Sequence, residues 1–196
     1  MASTDKVSPP DKASPRDRLL DAAARLSYRE GVSVGIEALC REAGVSKRSM
    51  YQFFDSKDAM LAASLERRIP WYDAQLVHPD AETATPRERI LYVFERLERA
   101  SAAADYHGCP YLAVLVELKN PEHRAAEVAR GVKQRLAEAF RAEAERGGAR
   151  DPELLARQLL LVFDGASARA GAKVEHLDDG LATATVTALL DAAGMD

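Results

Sequence analysis

Cysteine is almost missing from this chain, and aromatic side chains are sparse. Two cysteines in 196 residues, Cys40 and Cys109, cannot form a disulfide framework, and they show no repeated metal-ligand spacing. Small secreted scaffolds and zinc modules are thereby excluded, and each thiol reads most simply as a small buried hydrophobe. Phe, Trp and Tyr make up 6% of the residues, with a single tryptophan, and no segment alternates apolar and polar side chains with the period of two that a half-buried strand needs. No apolar run approaches the roughly 20 residues that cross a bilayer. The chain opens on polar residues without an apolar signal-peptide core, so a cytoplasmic protein with no membrane partner is expected. An excess of positive charge is missing too, because 27 Lys and Arg stand against 31 Asp and Glu for a net charge of −4.

What is present favours helices. Hydrophobic residues form 47% of the chain, enough for a sizeable core, and the abundance of Ala, Leu, Arg and Glu over β-branched and aromatic residues favours an all-α fold. The charge is also unevenly placed. Residues 14–68 carry 10 Lys and Arg against 8 Asp and Glu, whereas residues 69–196 carry 15 against 21. Local charge at the phosphates sets the electrostatic attraction to a nucleic acid, so a near-neutral front with a few placed cations is compatible with a small DNA-binding module and an acidic remainder facing away.

Residues 1–13 mix Ser, Pro, Lys and Asp without periodicity and read as a disordered arm, although Lys6 and Lys12 could touch a minor groove. Beyond them, Ser14-Pro15, Thr85-Pro86, Asn120-Pro121 and Asp151-Pro152 each place a capping oxygen before a proline at the first helical position. A first helix over residues 15–29 buries Leu19, Ala22, Ala23 and Leu26 and stops at Gly31. Short helices follow over 35–43 and 46–52, split by Gly44. A fourth, capped by Ser56, starts at Lys57 and is expected to kink or end at Pro70. Further helices are expected over 86–104, 110–118, 121–146, 152–172 and 177–193, about nine in total. Three units follow: the arm 1–13, a three-helix module 14–60 and a larger helical bundle 61–196.

The stretch 36–61, IEALCREAGVSKRSMYQFFDSKDAML, carries the functional information. Ile36, Leu39 and Cys40 give the first short helix one buried face, Ala43-Gly44-Val45 makes a tight turn, and Ser46 caps the next helix. Helix, glycine-containing turn and helix is the arrangement that carries a recognition helix into a major groove. With Val45, Met50 and Phe54 needed inward, Lys47, Arg48, Ser49 and Gln52 point outward. Arg48 or Lys47 can donate to guanine, and Gln52 can pair with adenine. Lys57 begins the fourth helix, where its ammonium and free N–H groups can converge on a phosphate.

From residue 19 to 61 the chain resembles the TetR (tetracycline-repressor) family: Ala22-Ala23 and Leu26 in the first helix, then Gly31, the turn Ala43-Gly44-Val45-Ser46, and Tyr51, Phe54, Ser56-Lys57 and Leu61 in order and spacing. It departs from that pattern at Val34-Gly35, where a Thr or Ser pair is usual, at Ser27, often aromatic, and at Phe53, often histidine. Tyr51 is similar to the family's phosphate-contacting tyrosine.

The resemblance implies a sequence-specific regulator, a ligand-responsive repressor that binds a palindromic double-stranded operator as a homodimer paired through its last two helices. The small-residue run 163–172 and Ala182, Thr183, Ala184, Thr185 and Ala188 agree with close helix approach, as would packing inside one subunit. It also implies a small-molecule effector site in the middle helices, for which Tyr92, Phe94, Tyr106, His107, Cys109, Tyr111, Leu115 and Phe163 are the candidates. No cluster of Arg or Lys there specifies an anion, and no residue set marks a cofactor, a metal or a catalytic group. Three other readings stand beside this one: a Cys–His enzyme using His107 and Cys109, a thiol redox sensor at Cys109, and the same fold acting as an activator or an effector-independent DNA binder.

Overall fold

Serine, threonine and aspartate side chains open most of the helices of this protein. The structure, a computed structural model, describes residues 13–195; all but the last residue of the N-terminal arm lie outside that range. The described residues form nine helices and no strand: α1 (Pro15–Glu30), α2 (Ile36–Ala43), α3 (Lys47–Phe53), α4 (Lys57–Leu76), α5 (Pro86–Ser101), α6 (Pro110–Glu117), α7 (Arg124–Arg146), α8 (Pro152–Gly171) and α9 (Leu181–Ala193). Ser14, Ser46, Ser56, Thr85 and Asp151 each accept a hydrogen bond from a first-turn N–H. Thr85 and Glu88 complete a reciprocal capping box.

Two hydrophobic cores organise these helices. The smaller gathers Leu19, Leu20, Ala22, Ala23 and Leu26 of α1 with Leu39, Cys40 and Ala43 of α2, then Met50, Phe54 and Met60. The larger is built on α4 to α9 around Phe94, which stacks on Phe140 at 5.7 Å and meets Phe163 edge-on at 6.1 Å. Helix α4 belongs to both: Met60 lies in the small core, and the next residues inward, Leu61, Ala62 and Leu65, lie in the large one. A partly buried ion pair from Lys133 to Asp164 ties α7 to α8, and the same ammonium lies 4.9 Å from the Phe163 ring, so the buried lysine has a partner for its charge.

Helix α5 ends at Ser101, three residues earlier than expected, and three other helices differ from the expected bounds for local reasons. Asn120-Pro121 does not start α7. The Asn120 side chain accepts the Glu122 N–H at 3.0 Å and closes a turn, and His123 caps the helix by accepting the Ala125 N–H at 3.1 Å. Helix α9 begins four residues later than expected, where Asp179 accepts the Leu181 N–H at 3.1 Å. Helix α4 runs through Pro70 and on to Leu76. Pro70 and Glu66, whose carbonyl loses its helical partner to the proline, are both exposed, so that carbonyl is open to solvent and the loss costs little.

Candidate nucleic-acid interface and the cavity behind it

The turn between α2 and α3 is set by backbone chemistry. Gly44 stands at φ 63°, ψ 36°, where a Cβ is strained. Its N–H donates to the Arg41 carbonyl at 3.2 Å and that of Val45 to the Cys40 carbonyl at 3.0 Å, the double closure of a Schellman turn. Arg18 Nε of α1 reaches the Ala43 carbonyl at 3.0 Å, and Ser46 Oγ accepts the Ser49 N–H at 3.0 Å. Met50 is fully buried beneath α3. Burying that one residue fixes the roll of the helix and turns the opposite face to solvent.

That outer face holds most of the residues singled out above. Lys47, Arg48, Tyr51 and Gln52 are exposed, and Lys47 lies 4.0 Å from the Glu37 carboxylate. Ser49 is half-buried, with its hydroxyl 2.9 Å from Ser46 Oγ, so it is engaged in the cap. Lys57 stands apart, since its Nζ donates to the carbonyls of Val32 and Val34 at 3.0 and 3.3 Å. An ammonium has three donors, so one N–H is left for a phosphate. Most of this charge latches the loop ahead of α2. Phe53, 41% exposed beside Tyr51 at 52%, joins this surface although apolar periodicity gives no reason to place it there.

Behind the helix-turn-helix lies a cavity of about 300 Å³ between α1, α4, α5, α6 and α8. Tyr106, Cys109, Tyr111 and Phe163 line it as expected. Tyr92 and His107 do not. The Tyr92 ring packs on His78 at 4.9 Å on the outside of α5, and the His107 ring packs edge-on against Tyr28 at 5.4 Å. Phe94 and Leu115 also belong to the packing around it. Residues far away in sequence complete the wall, among them Tyr28 of α1 and Trp71, Tyr72 and Gln75 of α4. Arg68 and Arg96 line it as well, two basic groups that form no cluster in the sequence. Neither arginine is near the other in sequence; only the crossing of α4 and α5 brings both to one chamber.

The thiol has no histidine for a neighbour. Cys109 Sγ lies 3.5 Å from Tyr72 Oη, and no hydrogen bond joins it to His107 among the described residues. Burial dominates the electrostatics of the phenols here. Desolvation pushes Tyr72 and Tyr106 well above the ordinary value and Tyr111 up to about 12. Free phenols in an unfolded chain ionise near 10, while these remain protonated in the fold. Stability is therefore complete below pH 10 and falls as pH rises from about 10 to about 12. Alkaline unfolding followed by circular dichroism should steepen above pH 10, and Tyr111→Phe should flatten that slope. A slope indifferent to the substitution would place the titrating group elsewhere.

The cavity is wired to the front of the molecule by polar contacts. Tyr28 Oη accepts the His107 N–H at 2.9 Å and donates to the Gly108 carbonyl at 3.1 Å. Glu117, at the end of α6 and on the cavity wall, accepts the Val32 N–H at 2.7 Å. Gly31 stands at φ 89°, and a Cβ there would come within 2.7 Å of that carboxylate. Arg67 of α4 pairs with Asp17 and Asp21 of α1 at 3.2 and 3.0 Å.

Known proteins share this arrangement. The bacterial regulatory proteins of the tetR family match over residues 19–64, which is the α1 to α4 region just described. A crystal structure of a tetr-transcriptional regulator from Streptomyces avermitilis is 59% identical, covering 94% of this chain and 100% of that one with a TM-score of 0.90. An uncharacterised HTH-type transcriptional regulator of Mycobacterium tuberculosis is 34% identical over 92 residues, 46% of each chain. The HTH-type transcriptional repressor KstR of the same organism is 30% identical over 86 residues, 43% of this chain and 39% of its own. The match spans less than half the length of these two curated relatives and lies beside a near-complete match in the Streptomyces structure. The chain belongs to the TetR family of transcriptional regulators.

Proposed function

We propose that this protein is a cytoplasmic transcriptional repressor that binds a palindromic operator as a homodimer and releases it when a small molecule enters the cavity. The observation that carries the reading is the exposed face of α3, where Lys47, Arg48, Tyr51 and Gln52 stand out from a helix locked by buried Met50. Arg48 and Gln52 have the donor patterns that read guanine and adenine edges, and Tyr51, Lys47 and the remaining N–H of Lys57 serve the phosphates.

Dimerisation is supported by what α8 and α9 leave uncovered. Leu154 is 48% exposed, Leu161 74% and Leu181 44%, with Gly165, Ala168, Ala184 and Ala188 on the same open side of the two helices. The small-residue run 163–172 is divided between two tasks: Phe163, Ser167 and Ala170 are buried within the subunit, while Gly165 and Ala168 face out. A two-fold contact would cover the exposed set twice and place two recognition helices one DNA turn, roughly 34–36 Å, apart or a multiple of it.

Effector response is supported by the shared wall. Ser27 and Tyr28 of α1, whose opposite face carries the small core, and Val32 just after it line the same chamber as α4 to α8, so an occupant touches the helix-turn-helix region as well as the larger bundle. It shifts the operator-binding population only through unequal affinity for two arrangements.

Selection of bound fragments from random DNA by the purified protein tests the reading. An enriched inverted repeat bound by dimers is expected, and equal affinity for all sequences would remove it. Against the selected operator, Arg48→Ala should cost about 1–3 kcal/mol and relax preference at one base position. A uniform loss across all sequences would instead make Arg48 a phosphate contact.

A further inference from the structure

Resting on the effector reading above, we propose that the cavity behind the helix-turn-helix takes a small anion with an apolar, ring-bearing body, and that Arg96, presented by Gln75, holds the negative group.

Two neighbouring cavities differ in how their arginines are used. In the neighbouring chamber of about 340 Å³, Arg89 faces Glu143 at 3.4 Å and Arg135 faces Asp73 at 3.5 Å. Both charges there are answered by the protein. In the chamber behind the helix-turn-helix neither guanidinium is answered by a carboxylate among the described residues. Arg96 donates to the Gln75 side-chain oxygen at 2.6 Å, and Arg68 lies over the Trp71 ring at 5.5 Å. Arg96 is half-buried, a position that favours an anionic partner, and its planar fork keeps donors beyond the one Gln75 uses. The one carboxylate on the wall, Glu117, is turned to the Val32 N–H.

The remaining wall selects the body of the ligand. Trp71, Tyr72, Tyr106, Tyr111 and Phe163 present ring faces and edges, and their polar tips are largely committed: Tyr106 to Ser167 at 3.0 Å and Tyr111 to the Leu65 carbonyl at 3.2 Å. A volume of about 300 Å³ lies at the small end of ligand pockets, which suits one or two rings. Arg68 stands at the Trp71 side of the chamber, Arg96 two turns of α4 away beside Gln75. The negative group enters past the first and rests at the second.

Trp71 is the chain's single tryptophan and lines the chamber, so its emission reports occupancy directly. Three probes with one body and different heads, 4-phenylbutyrate, 4-phenylbutanol and 4-phenylbutylamine, are titrated against the full-length protein. The acid is expected to bind at least about tenfold more tightly than the alcohol and more tightly than the amine. Arg96→Gln should remove that preference by weakening the acid at least about tenfold and the alcohol far less. Gln75→Glu, which supplies Arg96 with a carboxylate and keeps the side-chain volume, should do the same and stands in if Arg96→Gln does not fold. Equal binding of acid and alcohol, tighter binding of the amine, or no binding of any probe overturns the proposal. Operator affinity measured with the acid separates the two readings: acid binding that leaves the operator untouched removes the effector role and keeps the ligand class.

Discussion

Leu161→Glu should turn the protein into a monomer and, at nanomolar concentrations, strip it of operator binding. Leu161 is the most exposed large apolar side chain of the described residues, at 74%. It stands seven residues after Leu154 and seven before Ala168, so all three fall on one stripe of α8. In a two-fold interface the stripe meets its own copy or lies close to it, and the substitution introduces two carboxylates into one apolar patch. Like charges brought together in this way cost several kcal/mol, and each ~1.4 kcal/mol lowers association about tenfold. Light scattering should report the monomer mass, and anisotropy with a labelled operator should report a loss of a hundredfold or more, of roughly that size. Helical content should stay the same, because Leu161 takes no part in either core. A dimer of undiminished stability would move the interface off this face.

Phe94→Ala should be the most destabilising single truncation. Phe94 is fully buried, and its ring is the meeting point of Phe140 from α7 and Phe163 from α8. Removing it costs the transfer of the ring and leaves a void in helices already held apart by a cavity, for a loss of roughly 3–5 kcal/mol. In a chain of this size each kcal/mol moves the Tm by about 2–4 °C, so a drop on the order of 6–20 °C is expected in calorimetry. The small core shares no side chain with this cluster. Amide exchange in α1 to α3 should therefore be less affected than in α5, α7 and α8. A loss under about 1 kcal/mol would mean that the neighbouring cavity collapses into the space.

The parts of this molecule readable from sequence are those written in short-range chemistry. Ser14-Pro15, Thr85-Pro86 and Asp151-Pro152 mark helix starts because capping oxygen and proline act within one turn. Asn120-Pro121 has the same letters and fails, because the asparagine amide found the Glu122 N–H first. The outward face of α3 was legible for a similar reason: the helix has one buried residue, Met50, and Lys47, Arg48, Tyr51 and Gln52 are exposed. Lys57 was harder, since its partners, the Val32 and Val34 carbonyls, lie more than twenty residues earlier. The cavity was legible only at Tyr106, Cys109, Tyr111 and Phe163, on α6, α8 and the segment ahead of α6. Tyr28, Trp71, Tyr72, Arg68 and Arg96 sit on helices whose periodicity says that one side is covered, and periodicity does not say that two such sides enclose an empty space. Tyr92 and His107 show the converse, since their ring chemistry fits a ligand site while their packing serves His78 and Tyr28.

Pro70 gives α4 a joint. The proline removes one rung from the helix between an N-terminal part, where Met60 packs in the small core and Leu61, Ala62 and Leu65 in the large one, and a C-terminal part, where Trp71, Tyr72, Gln75 and Leu76 line the cavity. From Pro70 to Lys57 is thirteen residues, an arm of roughly 20 Å at the rise of an α-helix. Turning that arm by about 10° displaces its tip by ~3.4 Å, the rise of one base pair. In the dimer proposed above such a bend, felt by Met60 in the small core and by Leu61 and Leu65 in the large one, would be doubled across the two-fold axis and put the two recognition helices out of step with the grooves.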